Sequence, residues 1–354
     1  MNPYAGYGLY IAGPQCFYER GYSMWHSYRK LAEYYGFTVV LPNDTPLDMT
    51  HEDLRDNARE IFSNLQEVIQ QTNIIIADLD LFRSSEPDCG TLFELGMVHG
   101  AGGLLYGFTR DKRSMAIKNQ FAYLHQGSIY AQGGEPHPYA DLPYAPSLTA
   151  STKIVEGSFD DCLQLVMSDL EERRKQGIKP PAFVTLPSQN EGKTRVFLSG
   201  PDRYRQNAED LYQVMKELCA QSGFVGISPL DGLPDLNDVV DPYERAYRMW
   251  KHSQELLASC DIFLGDLQDY HGWEPLNDTA FEAGLAWRLG KRCFCYMPDT
   301  RIMRDRIPNI EGLDVAGNII ENFNFPVNLM FSASMPILEG DLVTVLAQMS
   351  AQLG

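Results

Sequence analysis

Leu9-Tyr10-Ile11-Ala12-Gly13-Pro14 returns 187 residues further on as Val196-Phe197-Leu198-Ser199-Gly200-Pro201, and Gly36-Phe37-Thr38-Val39 returns at the same offset as Gly223-Phe224-Val225-Gly226. After one inserted residue the offset is 188, and Asn73-Ile74-Ile75-Ile76-Ala77-Asp78-Leu79 aligns with Asp261-Ile262-Phe263-Leu264-Gly265-Asp266-Leu267. Residues 86–115 match 274–303 without a gap, with Glu, Pro, Thr, Phe, Glu, Gly, Gly, Asp, Arg and Met in register. The chain is therefore a tandem repeat of one structural unit. Within each copy, short apolar runs alternate with longer amphipathic stretches, the pattern of parallel strands joined by crossover helices. The first copy predicts strands near 7–12, 37–41, 73–78 and 103–108, with helices near 22–35, 51–71, 89–101 and 158–176. The second predicts helices near 204–221, 242–260, 279–289 and 339–352. Residues 117–150 combine Gly and Pro without a period and read as a long loop. Between the copies, Gln176-Gly177-Ile178-Lys179-Pro180-Pro181 and the polar run to Lys193 read as a linker. The expected division is thus a first domain over 1–178, a linker over 179–193 and a second domain over 194–354.

Composition narrows the function. A chain of 354 residues is longer than one core usually holds, in keeping with two domains. A formal net charge of −18 leaves no cationic surplus to displace counterions from nucleic acid or to hold an anionic membrane. Apolar runs such as Gly103-Leu104-Leu105-Tyr106 are far too short to span a bilayer, and the N-terminal residues lack a secretion pattern. Seven cysteines without CxxC spacing read as reduced cytosolic thiols, with Cys293-x-Cys295 inside an apolar strand, so a cytoplasmic protein is expected. Neither G-x-G-x-x-G after a strand nor a G-x-x-x-x-G-K-[ST] loop is present, which excludes the usual dinucleotide and phosphoryl-transfer sites.

Parallel sheets bind ligands beyond the carboxyl ends of their strands. Gly13-Pro14 follows the first strand there, Asp78 to Arg83 the third, and Glu86-Pro87-Asp88-Cys89-Gly90-Thr91-Leu92-Phe93-Glu94-Leu95-Gly96 leads into a helix. Asp88 and Glu94 read in two ways. Either they converge on one small ligand, or Asp88 caps the helix and Glu94 is solvated. Against the second reading, Glu94 lies between Phe93 and Leu95, its counterpart Glu282 lies between Phe281 and Ala283, and a buried carboxylate is costly unless used or paired. Gly90, Gly96 and Gly284 would let backbone and ligand approach closely.

The quoted stretches, with Asp111-x-Arg113, resemble the nucleoside 2-deoxyribosyltransferase family, and the match runs through both halves. The resemblance implies α/β architecture: two tandem flavodoxin-like, doubly wound parallel-sheet domains forming an intramolecular pseudo-dimer, with further homo-oligomer formation left open. It implies transfer of 2-deoxyribose between nucleobases with retention, as in nucleotide salvage, acting on deoxynucleosides and free bases with no cofactor and no metal. It implies Glu94 as nucleophile and Asp88 as ligand of the sugar hydroxyls. Tyr10, Gly13, Asp78 and Gly90 are expected around the substrate, with Asn73 touching the base. Asn328 and Met330, in an Asn-Leu-Met segment found once, are expected to complete a neighbouring pocket. In the second half Asp88 becomes Leu276 and Tyr10 becomes Phe197, while Glu282 and Asp261 persist as a possible second site. Conversely Phe325-Pro326-Val327-Asn328-Leu329-Met330 corresponds to Leu142-Pro143-Tyr144-Ala145-Pro146-Ser147. One intact pocket, walled by the other half, is expected. An amide at Asn73 where the family has Asp cannot donate a proton as a carboxylic acid does. The alternatives are a hydrolase cleaving deoxynucleosides or their 5′-monophosphates, and a non-catalytic nucleoside sensor. The nucleotide version would be expected to place Ser and Arg after the first strand, where Pro14-Gln15-Cys16 stands.

Overall fold

Both copies of the repeat fold into a five-stranded, wholly parallel sheet in the computed structural model, which describes residues 4, 6–44, 47–118, 123–125, 128–130, 139–180, 192–236 and 238–353. The first sheet uses β1 (Gly8–Ala12), β2 (Thr38–Val40), β3 (Ile74–Asp78), β4 (Leu104–Thr109) and β7 (Lys153–Glu156) in the order β2-β1-β3-β4-β7. The short strands β5 (Tyr123–His125) and β6 (Ser128–Tyr130) form a separate antiparallel pair. The second sheet uses β8 (Arg195–Ser199), β9 (Val225–Ile227), β10 (Ile262–Asp266), β11 (Arg292–Met297) and β12 (Ile337–Glu339) in the equivalent order β9-β8-β10-β11-β12. This is the flavodoxin-like order, in which the chain reverses direction beside the first strand and opens a crevice there.

Helices cover both faces. In the first half they are α1 (Gly21–Tyr34), α2 (Leu54–Gln70), α3 (Cys89–Gly100), α4 (Met115–Lys118), α5 (Pro146–Ser151) and α6 (Phe159–Lys175). The second half has α7 (Ala208–Gln221), α8 (Pro242–Ala258), α9 (Asn277–Arg288), α10 (Met303–Arg306), α11 (Leu329–Ser332) and α12 (Leu342–Leu353). A 3-10 turn follows the first strand of each sheet, at Pro14–Phe17 and Pro201–Tyr204. The fifth strands, β7 and β12, were not among the expected strands, since their short runs carry too little periodicity. The expected loop over 117–150 holds the β5 and β6 pair and the start of α5. Residues 119–122, 126–127 and 131–138 of that loop, and 181–191 of the expected linker, lie outside the described residues.

The halves meet about a pseudo-twofold axis, and several contacts across it come in equivalent pairs. Helices α3 and α9 cross there, each buried along almost its whole length and hydrophobic on most sides, as a helix inside a core must be. They approach so closely that a Cβ on Gly96 would lie 2.1 Å from the Phe281 carbonyl oxygen, and one on Gly284 2.0 Å from that of Phe93. These glycines therefore serve helix packing, not approach to a ligand. The helix N-termini are capped by exchange: Glu86 Oε2 accepts the Asn277 N–H at 2.8 Å, and Glu274 Oε2 accepts the Cys89 N–H at 3.3 Å. Backbone bonds repeat the symmetry, from Ser85 N to His271 O and from Trp273 N to Arg83 O. An isologous interface built this way is what a fused dimer requires. No described helix is long and apolar enough to cross a membrane. All seven cysteines are free.

Candidate active site

Asp88 has helix-capping geometry: its Oδ2 accepts the Thr91 N–H at 2.8 Å and the Thr91 hydroxyl at 2.7 Å, closing the first turn of α3. Its other oxygen, Oδ1, is buried and has no partner among the described residues. Capping thus fixes the side chain and leaves one acceptor unsatisfied. Glu94, less than two turns further on, is 7% exposed, so it is not a solvated helix residue. The buried Tyr10 hydroxyl on β1 donates to Glu94 Oε1 at 2.6 Å. Burial pushes the Glu94 carboxyl up to about 8, against the Tyr10 hydrogen bond and with help from Asp88. Burial and Glu94 push the Tyr10 phenol well above its ordinary value, so it remains a donor.

Both acids line a cavity of about 390 Å³. Phe17, Trp25, Ile61 and Leu65 form apolar walls in the first half, and Ile320, Phe323, Leu329 and Met330 form them in the second. Gly13 and Gly90 border it. Asn328 reaches over from the second half to Gly90, where a Cβ would lie 2.7 Å from Asn328 Nδ2. Asn328 Oδ1 caps α11 through the Met330 N–H. Arg83 holds this second-half wall in place: its guanidinium pairs with Asp314 at 2.9 Å, donates to the Ile319 carbonyl and lies over the Phe17 and Phe82 rings. The Phe17 carbonyl accepts the Ile319 N–H.

Several expected residues lie elsewhere. Asn73 precedes β3, at the amino-terminal end of the strands, where its Oδ1 accepts the Gly8 N–H and its Nδ2 donates to the Gly6 carbonyl. Five strand residues at ~3.3 Å each separate it from the cavity edge, so it is a strand-start clamp and not a base contact. Asp261 does the same for Arg195 N in the second half. Asp78 sits at the correct end of β3 but accepts from Gln15 Nε2 at 2.6 Å and from Asp80 N. It borders a separate cavity between α1 and α6 with Tyr18, Tyr28, Phe108 and Asp80. Sequence reasoning missed Glu321 and Cys16, and reached Arg83 only as the end of the stretch that follows the third strand. Glu321, half-buried beside Asp88, is pushed up to about 8 by burial, against the Leu329 hydrogen bond, and by the Asp88 charge. An acid following Ile319-Ile320 was the only signal for it.

In the second half the equivalent volume is filled. Arg203, the counterpart of Cys16, directs Nη1 and Nη2 at Glu282 at 2.8 and 2.5 Å, and the Ser199 and Ser253 hydroxyls donate to the same carboxylate at 2.5 and 2.6 Å. Glu282 is fully buried and saturated. Leu276 at the Asp88 position caps nothing, and neither neighbour replaces it: Glu86 takes the Asn277 N–H, and Asp278 accepts from Ser147 N and Tyr204. The remaining cleft is about 30 Å³, too small for a nucleoside. Among the described residues, Asp88, Cys89 and Glu274 form the one group with metal-like clustering. Asp88 and Glu274 in this group already accept the Thr91 and Cys89 N–H groups and so cap α3.

The sequence profile of the family described as "Nucleoside 2-deoxyribosyltransferase" matches residues 9–145 and again 196–330. An uncharacterized protein of Schizosaccharomyces pombe is 25% identical over 128 residues, which are 36% of this chain and 61% of that protein; this chain thus spans less than two thirds of that relative's length. Among solved structures, a 2-desoxiribosyltransferase from Leishmania mexicana is 24% identical with a TM-score of 0.38, covering 45% of this chain and 97% of its own. A 2-deoxyribosyltransferase from Bacillus psychrosaccharolyticus is 18% identical with a TM-score of 0.26, covering 37% of this chain and 88% of its own.

Proposed function

The chain belongs to the nucleoside 2-deoxyribosyltransferase family, and from that premise we propose that its first-half cavity transfers 2-deoxyribose between nucleobases, with Glu94 as the nucleophile. The carrying observation is the contrast between one carboxyl saturated by Arg203 and two serines and another, on the matching helix turn, that faces a cavity with only Tyr10 bonded to it. A carboxyl kept in an apolar site without a cation costs folding free energy, and catalysis is the use that explains the cost.

In this reading Glu94, as the carboxylate formed when it gives up its proton, attacks C1′ of a 2′-deoxynucleoside while the glycosidic bond breaks; the base leaves with the bonding electron pair and takes up a proton, and the incoming base later releases one as its N–H is lost. A deoxyribosyl ester of Glu94 results. An incoming base attacks the same carbon and the carboxylate leaves, so two inversions give retention. Tyr10 holds the attacking oxygen in place and favours the ionised form by its hydrogen bond. Asp88 Oδ1 and Asn328 Nδ2 orient the sugar, and the aromatic and aliphatic walls receive the base. The composite wall also makes the pseudo-dimer part of the site.

Denaturing mass spectrometry after mixing with deoxyinosine is expected to find a deoxyribosyl adduct on the peptide containing Glu94, discharged to deoxyadenosine when adenine is added. An adduct on Glu282 reverses the assignment of halves. Hypoxanthine release at the same rate with and without adenine replaces transfer by hydrolysis, and binding without turnover leaves a sensor.

A further inference from the structure

The polar end of the cavity holds an acid that the transfer step does not use. Glu321 arrives from the second half on the segment between α10 and α11 and lines the cavity with Asp88 and Asn328. Its Oε2 accepts the Leu329 N–H at 2.9 Å, while Oε1 has no hydrogen bond among the described residues. Asp88 Oδ1 is likewise unpartnered. Two carboxyl groups, one from each half, therefore stand at one end of the site, each with one oxygen that lacks a hydrogen bond among the described residues. The Cys16 thiol marks where the acids gather, being pushed up by burial and then by Asp88, Glu321 and Glu94.

The charge balance of the lining is three carboxyls, Asp88, Glu94 and Glu321, against one cation, Arg304. Arg304 gives its Nε and Nη2 hydrogens to the Ile320 carbonyl. Arg83, the next cation outward, is tied through Nε to Asp314 and through Nη2 to the Ile319 carbonyl, while its buried Nη1 has no partner among the described residues. Such an end suits hydroxyl groups, each with a proton to donate. A phosphate monoester carries about −1.5 to −2 charge, and a desolvated end whose lining sets three acids against one cation offers that charge little compensation.

We propose that Glu321 is a specificity-determining residue, supplied by the second half, that accepts a sugar hydroxyl and turns away 5′-phosphorylated ligands. The inference rests on the reading of the cavity as a deoxynucleoside site and adds the residue that separates nucleoside from nucleotide. Sequence comparison of the halves could not find it, because Glu321 lies outside the repeated motifs.

The test compares kcat/KM for deoxyinosine with that for deoxyinosine 5′-monophosphate in the wild-type chain and in Glu321→Gln. Glutamine keeps an oxygen for the Leu329 N–H and removes the charge, so the fold is expected to hold, checked by thermal melting. The expected result is a wild-type preference for the nucleoside that narrows tenfold or more in Glu321→Gln, chiefly because the nucleotide improves. Isothermal titration of both ligands gives the same comparison without turnover. A ratio that stays within twofold in a folded, active variant overturns the role of Glu321 and leaves the transferase reading intact. A wild-type chain that neither binds nor converts deoxyinosine overturns both.

Discussion

Glu94 and Glu282 stand on the same turn of two helices related by a pseudo-twofold axis, yet they are opposites. Glu282 is fully buried, pinned by a bidentate guanidinium and two hydroxyls, and the space around it has closed to about 30 Å³. Glu94 has one phenol as partner and a cavity of about 390 Å³ in front of it. Five exchanges make the difference: Cys16 for Arg203, Ala12 for Ser199, Leu65 for Ser253, Asp88 for Leu276 and Tyr10 for Phe197. The fold tolerated all of them because the elements that hold the halves together, the Glu86 and Glu274 caps and the Gly96 and Gly284 crossing, are kept in both. What the difference teaches is that one carboxylate is held by a cation and two hydroxyls inside the protein, while its half also forms a wall of the cavity that the other carboxylate lines.

The sharpest test of that contrast removes each carboxylate in turn and reads two properties. Glu94→Ala is expected to lose turnover by about four to six orders of magnitude, the scale of removing a nucleophile, with little loss of stability. Glu282→Ala is expected to do the reverse, because it strands the buried Arg203 guanidinium; breaking a buried pair this way costs about 3–5 kcal/mol. Steady-state rates and denaturant melts on the same two preparations decide it. Equal losses of activity in both variants would mean two working sites and end the contrast.

The repeat, the parallel sheets and the Asp88, Glu94 and Asn328 set were legible in the sequence because each depends on local pattern or on motifs set at strand ends. The remainder was not. Asn73 and Asp261 stand at equivalent places and looked functional, but each opens its strand at the amino-terminal end of the sheet and there clamps the neighbouring first strand. The plug in the second half needed Arg203 to cross from a 3-10 turn to Glu282, a contact 79 residues apart in sequence. Glu321 and Arg83 act through the loop between α10 and α11, which has no period to read.

A second comparison concerns the segments that each half lends to the other. Asn328 meets Gly90, whereas its counterpart Ala145 offers no polar atom and Ser147 instead bonds Asp278 through its backbone. Asn328→Ala is expected to lower kcat/KM by roughly tenfold to a hundredfold, the ~1–3 kcal/mol of a hydrogen bond lost from a desolvated site. Ala145→Asn is expected to leave activity unchanged, since the pocket it faces is closed. An active Asn328→Ala enzyme would remove the second half from the site.

The smallest effect separates the carboxylates by pH. Burial holds the Glu94 carboxyl near 8 in the folded chain, whereas in the unfolded chain it titrates near its ordinary value of 4.5. Between those two points the folded state keeps a proton that the unfolded state has released, so the Glu94 contribution to stability falls as pH rises through that window and is level above it. Glu94→Gln removes the titration and leaves the side chain neutral and close in size. Its stability relative to wild type is therefore expected to be near zero below about pH 4.5 and to grow in favour of the variant toward pH 8. Each unit of displacement amounts to about 1.4 kcal/mol, and relaxation of a site open to a cavity reduces the total to about 1 kcal/mol or more. Glu282→Gln is expected to be less stable than wild type throughout, because it weakens the charge that Arg203 requires. Chemical denaturation of the three proteins at pH 5, 6, 7 and 8 gives the answer. A Glu94→Gln difference that stays flat over this range would show that Glu94 is ionised in the folded chain with a partner other than Tyr10, which would make the two carboxylates alike.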